Sequence, residues 1–275
     1  MKEHFQEKLA LITGGSSGIG KALAKSLGEL GCSTCILARN QERLESAKEE
    51  ISKVASNGAF IDVIKADVTE EDQISRNFSE LVAKRGTPDF LFNCAGKAEP
   101  SYIQDYRIND FRRAMELDYL GTVIPSMELL PRFMERGSGH IINISSVGGF
   151  LGIIGYGTYT PAKFAVVGFS EVLRHEMKPH GIQVSVVFPP DVETPGFSKE
   201  NKVKPEECKI ISETGKLMQP EDVARKIIKG VKKGNFLILP GSSGYIHKLK
   251  GIWPSLVYKF IDDDLKKARK KIGKK

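Results

Sequence analysis

A short apolar run, Leu9-Ala10-Leu11-Ile12-Thr13, leads directly into Gly14-Gly15-Ser16-Ser17-Gly18-Ile19-Gly20, and a helical pattern, Lys21-Ala22-Leu23-Ala24-Lys25-Ser26-Leu27, follows at once. A buried strand, a glycine turn and a helix in that order leave few folds open. Glycines serve there because the backbone must turn sharply, approach a ligand closely and let the helix pack on the strand. Free N–H groups at the helix start then attract a phosphate. The spacing Gly14, Gly18, Gly20 departs from the commoner G-x-G-x-x-G, so the turn reads as a nucleotide site only with support from elsewhere in the chain.

That support begins with the rhythm of the chain. Strands are predicted at Leu9 to Thr13, Ser33 to Ala38, Ile61 to Lys65, Phe90 to Asn93, His140 to Ser145, Gln183 to Phe188 and Phe236 to Leu239, with helical stretches between most of them. Strands alternating with helices imply an α/β fold with a parallel sheet. At 275 residues the chain suits one domain that buries about three quarters of its unfolded surface. There is no internal repeat, low-complexity linker or second domain.

Two further segments carry chemistry. Tyr159 and Lys163 lie four apart at the start of an apolar-periodic stretch and so share one helical face. A fixed cation favours a phenolate, and the pairing suits proton exchange. Pro161, between them, is tolerable where a helix has only just begun. Ile141-Ile142-Asn143-Ile144 reads as a buried strand that ends in Ser145-Ser146, and strand C-termini line the ligand crevice of open parallel sheets. Such a serine either polarises a carbonyl or caps a turn.

Taken together and in order, the Thr13 to Gly20 turn, Asn93-Cys94-Ala95-Gly96, Ser145-Ser146, and Tyr159 with Lys163 resemble the short-chain dehydrogenase/reductase family over about residues 8 to 240. Within it the chain is similar to the 3-ketodihydrosphingosine reductases. That likeness rests on Ala38-Arg39-Asn40, the run Pro189-Pro190-Asp191-Val192-Glu193-Thr194-Pro195-Gly196-Phe197, Ile211-Ser212-Glu213-Thr214 and Gly234-Asn235-Phe236. The resemblance implies a Rossmann-type, doubly wound parallel sheet and NADPH-dependent reduction of the keto group of a long-chain sphingoid base. The same catalytic motifs would serve a steroid, retinoid or other apolar ketone, and a nucleotide-binding membrane scaffold without turnover is the alternative of another class.

By the same resemblance, Ser146 orients the ketone, Tyr159 donates the proton, and Lys163 holds the cofactor ribose and lowers the tyrosine pKa. Ser146 stands thirteen before Tyr159, the family spacing, and is preferred to Ser145. Gly14, Ser16, Ser17, Gly18, Ile19 and Gly20 would cradle the pyrophosphate, Asp67 and Val68 would contact adenine, Asn93 would stabilise the sheet, and Val192 and Thr194 would hold the carboxamide. Asp67 could instead cap the turn at Thr69. Arg39, with Ser16 and Arg43, would bind a ribose 2′-phosphate, because Ala38 ends the second strand where an NAD-selective enzyme commonly places an acid. Asp118 stands where the family usually has Asn. It would hold a water on a proton path to Lys163, or pair with that lysine and weaken its effect on Tyr159.

Charge is informative by location. The net charge is +7, and residues 248 to 275 carry ten Lys or Arg against three Asp, so the body is neutral and the tail basic. Ile252, Trp253, Leu256, Val257, Tyr258, Phe260 and Ile261 precede Lys266-Lys267-Ala268-Arg269-Lys270-Lys271, a mixture that suits an anionic membrane interface. A helix docked on the body, or a subunit contact, is the plainer alternative. The expected organisation is a catalytic domain over 1–247, with a lid at about 194–219, followed by a basic amphipathic tail over 248–275. A homo-oligomer is expected, and nucleic-acid binding is not, since the body shows no recognisable motif or basic patterning. No stretch reads as a signal peptide or a membrane span, which points to the cytoplasm or the cytoplasmic face of a membrane. Cys32 and Cys35 lie three apart at the second strand, facing opposite sides, and read as ordinary buried thiols; no metal-ligand spacing occurs.

Overall fold

The computed structural model describes residues 1–56, 58–213 and 215–273. Thr214 of the expected lid and Lys274 and Lys275 of the tail lie outside the described residues. Seven strands, β1 (Leu9–Thr13), β2 (Ser33–Ala38), β3 (Ile61–Lys65), β4 (Phe90–Asn93), β5 (Gly139–Ile144), β6 (Ile182–Val187) and β7 (Leu237–Ile238), form one parallel sheet in the order β3-β2-β1-β4-β5-β6-β7. The helices are α1 (Lys2–Phe5), α2 (Gly18–Glu29), α3 (Gln41–Ser52), α4 (Glu71–Arg85), α5 (Ile108–Ala114), α6 (Gly121–Arg136), α7 (Tyr159–Met177), α8 (Pro195–Val203), α9 (Glu206–Glu213), α10 (Pro220–Lys232), α11 (Ser243–Ile252) and α12 (Pro254–Lys271).

The strands bury both faces, and their period of two sorts side chains between two cores. Ala10, Ile12, Ile36, Phe90, Phe92 and Ile142 pack with Leu23 and Leu27 of α2, Leu44 and Ile51 of α3, and Val223 and Ile227 of α10. Leu11, Cys35, Leu37, Leu91 and Ile141 face the other way, onto Phe78 of α4, Phe133 of α6 and Leu173 of α7. Cys32 and Cys35 therefore enter opposite cores, and burial pushes both thiols up to about 12, which makes them unreactive filler. Predicted and observed strands agree within a residue at every end, although β7, expected over Phe236 to Leu239, is only two residues long.

Strand order reverses between β1 and β4, which pair with one another while their following connections leave to opposite sides. Ligand crevices of open α/β sheets form at such a switch point, beyond the strand C-termini. The glycine turn, Asn93 to Gly96, and the segments after β5 and β6 all open there.

Candidate active site

The floor of the crevice is a polar row laid across strand ends. Pairing aligns Thr13 with Asn93 and Asn93 with Asn143. Thr13 Oγ1 accepts from the Cys94 and Ala95 amides at 3.1 and 3.2 Å, tying the end of β1 to the loop after β4. Asn93 Nδ2 donates to Ser126 Oγ and Asn143 Oδ1, both at 2.9 Å, and Asn143 Nδ2 donates to Ser170 Oγ at 2.9 Å. These buried amide bonds fix α6 and α7 relative to the sheet, while Asn93 Oδ1 is left without a protein partner. Helix α7 then starts with Tyr159 at the crevice, and Pro161 falls in its first turn, where no intrahelical N–H is required.

The two serines after β5 divide their work. Ser145 Oγ donates to the Lys163 carbonyl at 3.0 Å, fastening α7. Ser146 Oγ accepts from the Gly148 amide at 3.1 Å and stands near enough to the Tyr159 phenol to work against the rise in its pKa. A methyl group built on Gly148 would lie 3.6 Å from both Ser146 Oγ and Tyr159 Cε1, so a glycine keeps that corner open for a ligand. Lys163 is 3% exposed; its Nζ donates to the Ile144 carbonyl at 3.1 Å and lies 3.2 Å from Asp118 Oδ1.

Asp118 sits on a π-helical turn, Met115–Leu120, between α5 and α6, and is completely buried. Its Oδ1 also accepts from the Lys97 amide at 3.1 Å, while Oδ2 has no protein partner. Burial raises its carboxyl above the ordinary range, opposed by Lys163. Of the two roles considered for Asp118, pairing with Lys163 is the contact observed. The expectation that Lys163 lowers the Tyr159 pKa is corrected here. Burial first, and the Asp118 carboxylate second, push the phenol well above the ordinary tyrosine range, while Ser146 works the other way. The lysine's charge is largely spent on Asp118.

The residues at the glycine turn fit a dinucleotide pyrophosphate. Gly14 and Gly18 have φ of +66° and +53°; a Cβ on Gly14 would meet Ala95 N at 2.9 Å, and one on Gly20 would meet Gly14 O at 2.5 Å. No larger residue fits without displacing backbone. Ser17 is the N-cap of α2, yet its side chain makes no capping bond there; Ser16 and Ile19 flank it, half-buried. Across the crevice the Thr194 methyl lies 3.1 Å from the position of a Gly18 Cβ, while Thr194 Oγ1 accepts from the Phe197 amide and caps α8. Val192 is buried and bridges to Met218.

At the far end, Arg39 and Arg43 are exposed beyond β2, and the Arg43 amide donates to the α3 N-cap Asn40. Ala38 leaves the end of β2 without an acid, but Arg39 Nη1 lies 3.4 Å from Asp67 Oδ2, an acid that follows β3. An exposed pair of this length is worth about 0–1 kcal/mol, little enough for a phosphate to displace. Asp67 Oδ1 accepts from the Thr69 amide and hydroxyl, the capping arrangement weighed as its alternative role. Val68 is buried against Gly121, at the start of α6.

Helices α8 and α9, in the segment expected as a lid, are tied to the loops around the site by side chains. Tyr156 Oη donates to Glu200 Oε2 at 3.1 Å, Ser212 Oγ donates to Asp191 Oδ2 at 2.6 Å, and Tyr102 Oη hydrogen-bonds Glu207. Tyr156, Glu200, Lys204 and Glu207 were not singled out from sequence; only the position of Tyr156 three before Tyr159 hinted at a role. The break expected at Lys248 falls inside α11. Helix α12 follows and docks through Val257, Ile261 and Ala268, with Val257 and Ile261 against the core formed by Phe150 and Phe188. Trp253, Tyr258 and Phe260 remain 60%, 50% and 52% exposed. Among the described residues no helix is long and apolar enough to cross a membrane, and no cluster of potential metal ligands occurs.

With this geometry established, similarity to known proteins decides the family. The short chain dehydrogenase family model matches residues 8–205. The chain belongs to the short-chain dehydrogenase family. Across 238 residues, 86% of this chain, it is 40% identical to a 3-dehydrosphinganine reductase of Danio rerio and, separately, to a 3-ketodihydrosphingosine reductase of Bos taurus, covering 72% of each. A 3-ketodihydrosphingosine reductase of Dictyostelium discoideum is 38% identical over 246 residues, 84% of this chain and 74% of that protein. Among solved structures, levodione reductase superposes with a TM-score of 0.80 at 24% identity, covering 88% of this chain and 98% of that one, a likeness of fold. The apo form of LigD from Sphingobium sp. strain SYK-6 gives 0.76 at 27% identity, covering 94% and 97%.

Proposed function

We propose that this chain is an NADPH-dependent reductase of the 3-keto group of 3-ketodihydrosphingosine, yielding dihydrosphingosine. The observation that carries the reading is the convergence of Ser146, Tyr159 and Lys163 at the mouth of a dinucleotide crevice, in a chain 40% identical to reductases named for that substrate. Gly14 to Gly20 would hold the pyrophosphate, Arg39 with Arg43 and Ser16 the ribose phosphate, Asp67 and Val68 the adenine end, and Val192 and Thr194 the carboxamide. The nicotinamide cofactor supplies the hydride when bound. The chain's own residues supply position and proton. Ser146 Oγ donates to the ketone oxygen, and Tyr159, kept protonated by its burial, delivers the proton to that oxygen. Lys163, paired with Asp118, would hold the cofactor ribose.

A lipid ketone must be reached where it partitions, and α11 and α12 supply a surface for that. Trp253, Tyr258 and Phe260 project beside the basic residues of α12, which suits peripheral binding to an anionic membrane. Met127 on α6 and Phe164 and Val172 on α7 are exposed apolar residues that support a homo-oligomer.

Purified protein incubated with NADPH and either 3-ketodihydrosphingosine or a steroid ketone, with products identified by mass, tests the substrate. Dihydrosphingosine should form at least about tenfold faster than any steroid alcohol; reduction of the steroid alone overturns the reading. For the membrane surface, full-length protein should sediment with anionic liposomes at low salt, and a chain truncated before Lys248 should not. Equal sedimentation of both forms would move the contact elsewhere.

A further inference from the structure

Helix α8 brings a carboxylate to a tyrosine that neighbours the catalytic phenol. Tyr156 and Tyr159 have ring centroids 5.9 Å apart, and the Tyr156 hydroxyl donates to Glu200 Oε2 at 3.1 Å. Tyr156 is buried, and Glu200 is largely shielded in the middle of α8, whose N-cap Thr194 sits against Gly18 of the glycine turn. The lid, the cofactor turn and the catalytic helix therefore meet around this carboxylate.

Its partner is a neutral phenol. One helical turn further on, Lys204 is buried: its Nζ lies 3.9 Å from the Phe197 ring centroid and 5.9 Å from that of Tyr156, and it donates to Ser212 Oγ at 3.2 Å, so it faces Glu200 only through charge, partly offsetting the rise that burial gives the Glu200 carboxyl. Ser212 Oγ in turn donates to Asp191 Oδ2. Glu200, Asp191 and Glu207 outnumber Lys204 on this wall, and Glu200 and Asp191 add to the field that raises the Tyr159 pKa. An excess charge shielded from water is costly until a cation meets it.

We propose that Glu200, held by Tyr156, receives the ammonium of an amino ketone substrate and thereby selects ketones that carry a cation on the carbon next to the carbonyl. The proposal deepens the function given above and rests on it, since 3-ketodihydrosphingosine is such a ketone. With the carbonyl oxygen at Ser146 and Tyr159, the neighbouring ammonium is two bonds from the reacting carbon and reaches the lid wall. There it makes a charge-assisted hydrogen bond and offsets the carboxylate field on the phenol. Selection then comes from a site left with an unpaired charge when the amine is missing.

The test compares 3-ketodihydrosphingosine with the same long-chain ketone lacking the amino group, in identical detergent micelles at saturating NADPH, for wild type, Glu200→Gln and Glu200→Asp. Wild type should favour the amino ketone by about 10- to 100-fold in kcat/KM. Glu200→Gln should erase most of that preference through KM, and Glu200→Asp should restore part of it, which also separates charge loss from misfolding. Equal kcat/KM for the two ketones in wild type, or an equal loss on both ketones in Glu200→Gln, overturns the proposal and leaves Glu200 as a fastener of the lid.

Calorimetric titration of the NADP⁺-loaded protein with dihydrosphingosine and with its deaminated diol reads the ammonium without turnover. Tighter binding of the amine by wild type but not by Glu200→Gln supports Glu200 recognition even if neither ketone is reduced, an outcome that would sink the reductase reading alone. Equal binding of the two lipids by wild type overturns the proposal.

Discussion

The two walls of the crevice are built by different means. The cofactor wall, from the glycine turn to Asn93, is made of backbone: positive-φ glycines, strand ends in register and buried amides that bond one another. The lid wall, α8 and α9, rests on side chains, with Tyr156 on Glu200, Ser212 on Asp191 and Lys204 over Phe197. Backbone construction suits a ligand part that never varies, because a pyrophosphate needs only N–H groups and open space. Side-chain construction suits the part that differs between substrates and can be exchanged without disturbing the sheet.

The largest way to break this contrast is to add one methyl to each wall. Gly20→Ala places a Cβ 2.5 Å from the Gly14 carbonyl oxygen, so backbone must shift; unfolding free energy should fall by about 1–3 kcal/mol and NADPH should bind at least about tenfold more weakly. Gly196→Ala, at the start of α8, meets nothing closer than Thr194 Oγ1 at 3.6 Å and should shift stability by less than about 1 kcal/mol, in the favourable direction. Thermal melts with and without NADPH read both effects. Similar losses at the two glycines would erase the distinction between the walls.

Arg39→Ala probes the exposed rim of the cofactor wall. The guanidinium is free to exchange Asp67 for a phosphate, and a charged hydrogen bond to phosphate is worth about 1.5–3 kcal/mol. The variant should lose its preference for NADPH over NADH by about tenfold or more, mostly in KM. Wild-type protein with equal kcat/KM for both cofactors would show that this rim does not read the 2′-phosphate.

Asp118→Asn should give the smallest change, visible in pH dependence. Reduction needs a protonated phenol and is lost as pH rises through its pKa, so a raised pKa carries activity to higher pH. Burial and Asp118 lift Tyr159, and wild-type kcat should stay level to about pH 10. Removing the carboxylate also releases Lys163 to act on the phenol, so the alkaline limb should move to lower pH. Superimposable profiles would mean that Asp118 does not set the phenol's environment.

The same contrast explains what could be read in the sequence. Strand bounds, the glycine turn and the Tyr159–Lys163 spacing follow from local periodicity and from the conformational freedom of glycine, and the fold carries them almost unchanged. The Asp118–Lys163 pair, between residues 45 apart, stood in the sequence only as one of two alternatives, because the π-helical turn that aims Asp118 is not announced by Met115-Glu116-Leu117-Asp118: one extra residue in a helical turn leaves the apolar pattern intact. The link between Tyr156 and Glu200 is invisible for a related reason, since it depends on where α8 packs in the fold. In the tail, amphipathic composition suggested a membrane surface, while docking of α12 through Val257 and Ala268 required knowing which face the body offers.

The most direct measurement is single-turnover reduction of 3-ketodihydrosphingosine by NADPH-loaded wild type and Tyr159→Phe, followed by NADPH absorbance, with NADPH affinity measured in parallel. Loss of the phenolic proton should slow reduction by about 10²- to 10⁴-fold while the dissociation constant for NADPH changes by less than about threefold. Tyr159→Phe that keeps more than about a tenth of the wild-type rate would contradict the assignment of Tyr159 as the proton donor.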